Sequence, residues 1–184
     1  MGTLNTQGMD MSSRMDLIAW KQTILDQLAS LGEEGHTAAE YLRAHRTYIG
    51  FWKARKNVGA FWTFLRTVHL NSLYYSMNAE TKNIDMLTLL IHEVKHLQQG
   101  VFLALSIYGE LEAWQLQFRL YYRLTGKPVH PVIAEMLSLP LAYDRAVLRR
   151  AQGLMQAYAG KGYRADLLPL YPLGREIKYW LTGK

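Results

Sequence analysis

Residues 84–99 read IDMLTLLIHEVKHLQQ, and this segment predicts an amphipathic helix of about four turns. Its apolar residues recur at the three- and four-residue spacing of one helical face, at Leu87, Leu90, Ile91, Val94 and Leu97. Asp85 lies in the predicted first turn and Gly100 follows the last residue, which are usual signals for the start and the end of a helix. The segment therefore forms a helical frame for the polar side chains that it carries.

The polar side chains of this helix include His92-Glu93-Val94-Lys95-His96, an HExxH motif. On a helix the two histidines are one turn apart on the same face, so both imidazoles can reach one metal ion. Glu93 lies beside them, where it can take a proton from a metal-activated water and pass it to a leaving group. Because the chain contains no cysteine, a transition-metal site must use histidine and carboxylate ligands. Such a ligand set suits one Zn²⁺ per chain, although other divalent ions also accept it.

A third ligand is expected, because a catalytic zinc usually has three protein ligands and one open position. The candidates are Glu110 and Glu112, in the segment GELEAW at 109–114. If the chain turns back at Gly100 as a helical hairpin, Glu110 comes closer than Glu112 to the level of the histidines. The two side chains point about 160° apart on a regular helix, so both cannot be ligands. Glu110 is the predicted ligand, and Glu112 remains the alternative ligand. The glutamate that is not a ligand is expected to be a partner of a ligand histidine or a solvated charge.

The rest of the chain predicts a mainly helical α+β domain. With 184 residues, 49% of them apolar, the chain is long enough for one domain with a real core. Further helices are predicted at 15–30, 101–124 and 141–158. Segments rich in β-branched and aromatic residues predict strands at 47–54, 60–65 and 67–70, with a turn at 55–59. We expect a small antiparallel sheet of two to four strands beside the HExxH helix.

The two ends of the chain bear on its organisation and location. Residues 1–14 are predicted to be a disordered tail, and 15–184 a single domain. No apolar run is long enough for a transmembrane helix, and the first residues lack the pattern of a secretory signal. We therefore expect a cytoplasmic protein with no membrane partner.

Aromatic and polar residues outside the motif have simpler interpretations. Four aromatic residues are expected to pack the sheet against the helices: Trp52, Phe61, Trp62 and Phe64. His69 alternates with apolar residues in a predicted strand and is expected to be structural. Side chains that could stabilise charge on a substrate oxygen are Tyr121, His130, Tyr143 and Arg145. Gln98 and Gln99 could line the site.

The HEVKH motif on one helix and a glutamate on the next resemble the gluzincin branch of the zincin metallopeptidases, in particular its small single-domain members. Glu110 and Ala113 match the E-x-x-A pattern of the third ligand in that branch. The segment TVHLN at 67–71 is similar to the zincin edge strand that holds an extended peptide. This resemblance spans about residues 47–124. It implies a zincin-like domain and a metallopeptidase acting on peptides or proteins, with zinc bound by His92, His96 and Glu110 and with Glu93 as the general base.

Two other functions are compatible with the sequence. A zincin-like fold can bind metal without cleaving peptides and serve as a scaffold or regulator. Residues 141–184 contain eight lysines and arginines against three acidic residues, part of a net charge of +6 for the chain. Such a basic segment can bind nucleic acid, but it is more often a solvated helix face. Nucleic acid is therefore the less favoured partner, and no nucleotide-binding glycine loop is present.

Overall fold

The computed structural model of the protein describes residues 11–78, 81–160 and 162–183. In chain order the elements are α1 (Met11–Ala29), α2 (Glu33–Ala44), β1 (Tyr48–Trp52), β2 (Ala60–Trp62), β3 (Thr67–Asn71), α3 (Ile84–Gln99), α4 (Val101–Ala104), α5 (Ile107–Thr125), α6 (Pro131–Ser138), α7 (Arg145–Ala159), a short 3₁₀ turn (Ala165–Leu167) and α8 (Leu173–Thr182). The predicted class, α+β and mainly helical, is confirmed. Residues 1–10 of the tail predicted at 1–14 lie outside the described residues. The helix α1 begins at Met11, four residues before the predicted start of the first helix at residue 15.

The sheet is mixed, so the prediction of an antiparallel sheet is wrong. β3 lies between the other strands, parallel to β1 and antiparallel to β2. Composition marks which segments are strands, but it does not determine which strands pair. The residues at 55–59 do not turn the chain back onto β1. The buried Asn71 amide donates to the carbonyls of Arg55 (3.0 Å) and Val58 (2.6 Å), which holds this loop across the end of β3.

The edge strand nearest the HExxH helix is β2, whereas the sequence placed this role on β3. The ladder between β2 and β3 includes the bonds from Asn71 N to Gly59 O (2.8 Å) and from Thr63 N to Thr67 O (2.9 Å). Because paired and unpaired backbone groups alternate along an antiparallel strand, the N–H and C=O groups of Ala60 and Trp62 point away from β3. The free edge of the sheet therefore runs along β2, which packs beside α3.

The helical hairpin predicted at Gly100 is present with one additional element. Asn83 caps the start of α3 by accepting a hydrogen bond from Met86 N (3.0 Å), and α3 ends at Gly100, whose φ is 72°. The single helix predicted at 101–124 is divided into α4 and α5 at the buried Ser106, which accepts from Gly109 N (3.0 Å) and caps α5. This break sets the first turn of α5 beside the last turns of α3.

The core consists of two apolar clusters that meet at the contact between α3 and α5. The first cluster lies between α1, α2, the sheet and α3, and it contains Ile24, Leu42, Val68 and Leu90. The second lies between α5, α6, α7 and the segment before α8, and it contains Leu111, Ile133 and Met155. The packing of α3 on α5 is the most extensive between any two described elements. A site built from both helices therefore has a rigid wall on each side.

No described helix is long and apolar enough to cross a membrane.

Candidate metal centre

Three side chains from α3 and α5 converge on one point. His92 and His96 project from one face of α3, and their Nε2 atoms lie 3.0 Å apart. Glu110, in the first turn of α5, places Oε1 3.5 Å from His96 Nε2 and Oε2 3.8 Å from His92 Nε2. All three residues are buried or nearly so, with 14% of the Glu110 side chain exposed. The HExxH spacing and the hairpin thus bring together the three predicted ligands.

The spacing of these side chains suits a small divalent ion. Ligand bonds of about 2.0–2.1 Å in a tetrahedral site separate the ligand atoms by about 3.3 Å. The two Nε2 atoms are 3.0 Å apart and Glu110 Oε1 is 3.5 Å from His96 Nε2. One ligand atom from each of the three residues lies within 4.8 Å of the other two, so one ion can bind all three residues after small side-chain shifts. Two imidazoles and one carboxylate suit zinc and leave its fourth position open.

A hydrogen-bonded chain determines which nitrogen of His96 faces the candidate metal position. Gln99 donates from Nε2 to Gly109 O (3.0 Å) and to Glu112 Oε2 (3.0 Å), so its Oε1 atom faces His96 Nδ1 at 3.0 Å. Since an amide oxygen only accepts, His96 Nδ1 is the donor. The lone pair of the imidazole then lies on Nε2, the atom directed at His92 and Glu110.

Glu112, the alternative ligand, has a different role. Its carboxylate accepts from Gln99 and forms an ion pair with Lys95, with Nζ 2.7 Å from Oε1. Both partners lie on α3, so the side chain is directed away from the point where the histidines meet. Lys95, a charged residue inside the HExxH motif, is accommodated by this pair. Glu112 supports His96 through Gln99 rather than reaching the candidate metal position.

Glu110 is oriented by two partners from the second core cluster. Tyr163 donates its hydroxyl to Glu110 Oε2 at 2.5 Å, and Trp114 Nε1 donates to the same atom at 3.2 Å. Trp114 Nε1 also lies 3.0 Å from the Tyr163 hydroxyl. Burial first, and the Glu110 charge second, raise the pKa of Tyr163 well above its usual value, which keeps this hydroxyl protonated as a donor. Both donors reach Oε2, and Oε1 remains available as a ligand atom.

Burial sets the protonation of the residues on α3. Burial foremost, and then the neighbouring His96, holds the pKa of His92 well below its usual value. The imidazole is therefore neutral at pH 7, as a metal ligand must be. Burial and the nearby Glu110 charge raise the pKa of Glu93 to about 8, against a smaller opposite effect of the Trp62 backbone N–H. A bound cation beside Glu93 would lower this pKa towards the range in which the carboxylate accepts protons.

A cavity of about 300 Å³ opens onto this centre. Its inner wall is formed by His92, Glu93, His96 and Glu110, and the edge strand β2 forms the opposite wall. Tyr163 lines the same cavity, although no sequence pattern singled it out. It lies in a loop about fifty residues after Glu110, and only the tertiary fold brings the two together.

The four residues predicted to stabilise substrate charge lie elsewhere, so none of them forms part of this cavity. The ring of Tyr143 stacks on Tyr108 at 4.4 Å. The other three residues make local contacts: Tyr121 with Lys127, His130 with Val132 N, and Arg145 with Glu176. The expected packing of the aromatic residues on the sheet is also wrong in part, since Trp52 and Phe64 are exposed. Phe61 and Trp62 are half-buried and line the cavity.

Comparisons of this chain with known protein families, with characterised proteins and with solved structures found no match. The functional argument therefore depends on the chemistry of the site.

Proposed function

We propose that the protein is a zinc-dependent hydrolase, and specifically a small metallopeptidase. The observation that carries this proposal is the convergence of His92, His96 and Glu110 within a few ångströms of one another, beside an open cavity that Glu93 also lines. A purely structural histidine pair would not require a carboxylate on the neighbouring helix, nor a buried acid at the cavity wall. When bound, zinc would polarise the scissile carbonyl and lower the pKa of a water molecule.

Glu93 acts as the general base in this proposal. It is 5% exposed and borders the cavity next to both histidines, which is where a water attacking a substrate carbonyl would lie. A base works best when its pKa is near the working pH. Burial and the Glu110 charge raise the pKa of Glu93 to about 8, and the charge of a bound zinc ion would lower it towards neutral pH. The same carboxyl group then returns the proton to the departing amine.

The edge strand β2 supports a peptide as the substrate. The backbone groups of Ala60 and Trp62 point away from β3, and both residues line the cavity. The Trp62 N–H contacts the Glu93 carboxyl group, which leaves the two Ala60 groups and the Trp62 carbonyl for a peptide. An extended peptide can pair with such an edge through its main chain, which gives affinity with little dependence on sequence. The strand thus supplies a means of laying a peptide across the candidate metal centre.

The basic C-terminal segment gives weaker support for a nucleic-acid-binding function. Three of its arginines are paired with carboxylates: Arg145 with Glu176 (2.9 Å), Arg164 with Asp166 (2.9 Å), and Arg150 with Glu135. These pairs reduce the positive charge that is available to phosphates.

The other alternative is a zincin-like scaffold without peptidase activity. Such a protein would bind the metal but would cleave no peptide in the cleavage experiment described below.

Metal content is the direct test of the site. We expect elemental mass spectrometry of the purified protein to find one zinc ion per chain, lost in Glu110→Ala and retained in Glu112→Ala. The two variants remove the same side chain from opposite sides of one turn of α5, so they are matched controls for each other. Absence of metal after zinc is supplied and the excess is washed away would overturn the proposal, as would equal loss of zinc in both variants.

Peptide cleavage tests the role of Glu93. We expect the zinc-loaded protein to release new amino termini from a broad peptide library, and the Glu93→Gln variant to do so about 100- to 10,000-fold more slowly. Glu93→Gln should still bind one zinc ion, because Glu93 is not a ligand. Glu135→Gln, in α6 and outside the cavity, is the control. Cleavage at the wild-type rate in Glu93→Gln, or no cleavage by fully loaded wild type, would contradict the proposed enzyme.

A further inference from the structure

The outer face of the sheet presents aromatic rings around a buried histidine. Tyr48, Trp52 and Phe61 surround His69, with ring centroids 5.8, 6.1 and 5.2 Å from the imidazole. His69 is 6% exposed, whereas Tyr48 and Trp52 remain 41% and 58% exposed. Large apolar rings that stay accessible in this way frequently mark a binding surface. We refer to these three aromatic residues as the aromatic face.

Gly50 shapes the aromatic face. It lies opposite His69 in the parallel pair of β1 and β3. A Cβ atom at Gly50 would come within 2.5 Å of the Tyr48 ring, so only glycine lets this ring lie across the strand towards His69. The arrangement is thus built into the strand and does not arise from an unconstrained surface side chain.

A groove of about 520 Å³ joins the aromatic face to the candidate metal centre. Trp52 and Phe61 line one end, and Glu110 and Tyr163 line the other. Phe61, Glu110 and Tyr163 also line the cavity that contains the HExxH residues, so the two spaces are continuous. The volume lies within the roughly 300–1,000 Å³ of typical binding clefts.

The groove carries unbalanced positive charge. Lys53, Arg55 and Arg164 line it, and Arg164 is paired with Asp166. Lys53 and Arg55 form no ion pair with any carboxylate among the described residues. The acidic residue that lines the groove is Glu110, whose carboxylate is directed at the candidate metal position. Two free cations beside exposed aromatic rings select for a ligand with both anionic and apolar groups.

We propose that this groove binds an acidic segment of the substrate polypeptide adjacent to the scissile bond, with carboxylates on Lys53 and Arg55 and an apolar side chain against Trp52 and Phe61. This inference rests on the proposed peptidase function, because the groove leads to the HExxH residues. A polypeptide fits better than single-stranded nucleic acid. The groove offers two cations without a carboxylate partner among the described residues, rather than a basic track, and it is continuous with the cavity that Ala60 and Trp62 of β2 line.

Binding of labelled peptides tests this inference separately from catalysis. Fluorescence anisotropy is measured for a Glu-rich peptide with one phenylalanine, for its Gln-substituted counterpart and for a thymidine oligonucleotide of equal length, each with and without a zinc chelator. The acidic peptide should bind the tightest of the three. The double variant Lys53→Glu/Arg55→Glu should weaken its binding by about tenfold or more. The control Arg149→Glu/Lys178→Glu changes the net charge equally, at exposed positions outside the groove.

The outcomes separate the two proposals. Equal weakening in both double variants, or equal binding of the Glu and Gln peptides, would overturn the groove assignment. Tighter binding of the oligonucleotide would overturn it in favour of a nucleic-acid surface. Circular dichroism shows whether each variant is folded. Trp52→Ala should also weaken binding of the acidic peptide, without any change of charge. Binding of the acidic peptide by a protein that holds no metal would retain the groove while the peptidase proposal fails.

Discussion

The hydroxyl group of Tyr163 donates a 2.5 Å hydrogen bond to Oε2 of Glu110, across 53 residues of sequence. The bond joins the loop after α7 to the first turn of α5, and the carboxylate that it holds is the candidate ligand on that turn. Groups that orient a metal ligand commonly contribute about 10- to 100-fold to metal affinity. Tyr163 is therefore a positioning residue for the candidate metal centre.

Replacing Tyr163 by phenylalanine should weaken zinc binding by about 10- to 100-fold. The ring remains to fill its space, and the hydroxyl that restrains Glu110 is lost. Competition with a chromogenic chelator measures the affinity. Tyr143→Phe is the control, since the Tyr143 ring stacks on Tyr108 away from the site. Unchanged affinity in Tyr163→Phe would show that the Trp114 indole alone is enough to orient the carboxylate.

Gln99 should be as important to His96 as Tyr163 is to Glu110. Gln99→Ala removes the acceptor for His96 Nδ1–H and frees the imidazole to rotate or change tautomer, so zinc affinity should fall by about 10- to 100-fold. Gln98, the preceding residue, is exposed and provides the matched control Gln98→Ala. The same chelator competition measures both variants. Equal zinc affinities of Gln99→Ala and Gln98→Ala would show that Gln99 does not position His96.

The residues of α3 were predictable because their signal is local. The spacing of Leu87, Leu90 and Val94 defines one apolar face, and His92 and His96 are one helical turn apart for the same reason. The choice of Glu110 over Glu112 used the geometry of a helical hairpin and the E-x-x-A pattern of Glu110 and Ala113. The sequence did not indicate Ser106, which interrupts the helix predicted at 101–124 and starts α5 four residues before Glu110.

Long-range relationships could not be predicted from local pattern. Tyr163 lies among glycines in a loop, where neither spacing nor composition indicates contact with Glu110. The strand segments were recognisable, but their order was not: β3 lies between β1 and β2, and Asn71 at its end holds the 55–59 loop through hydrogen bonds that no local pattern indicates. The alternation of apolar and polar residues along a strand shows which side chains share a face of the sheet. It does not determine the order of the strands.

The buried His69 should make stability depend on pH. Burial lowers the pKa of its imidazole in the folded protein, and the aromatic face around it carries no charge to compensate. Below about pH 6.5 the unfolded chain binds a proton at this residue that the folded chain does not. The free energy of unfolding therefore decreases as the pH is lowered. The contribution is complete above that pH and is lost as the pH approaches the lowered pKa.

The free energy of unfolding in urea, measured at about pH 7.5 and about pH 5.5, tests this pH dependence. In His69→Gln the difference in unfolding free energy between the two conditions should be smaller than in wild type. His36→Gln removes an exposed imidazole and should leave the wild-type difference unchanged. Equal pH dependence in wild type and His69→Gln would contradict the assignment of a neutral, buried His69.

Two glycines in helices should respond in opposite ways to alanine. A Cβ atom at Gly109 would lie 2.1 Å from the backbone carbonyl oxygen of Leu103, so Gly109→Ala must push α5 away from the end of α4. Gly153, in α7, has open space around the corresponding position. Gly153→Ala should therefore stabilise the protein by roughly 0.5–1 kcal/mol through helix propensity.

Because Gly109 precedes Glu110, the displacement caused by Gly109→Ala reaches the candidate ligand. We expect this variant to lose both stability in urea and affinity for zinc, whereas Gly153→Ala gains stability and keeps its zinc affinity. Measuring stability and zinc affinity together is informative: adding Gly153→Ala would offset part of a general loss of stability, but it would not restore the zinc affinity lost through a misplaced carboxylate. Wild-type zinc affinity in Gly109→Ala would show that the close contact of α4 with α5 does not position Glu110.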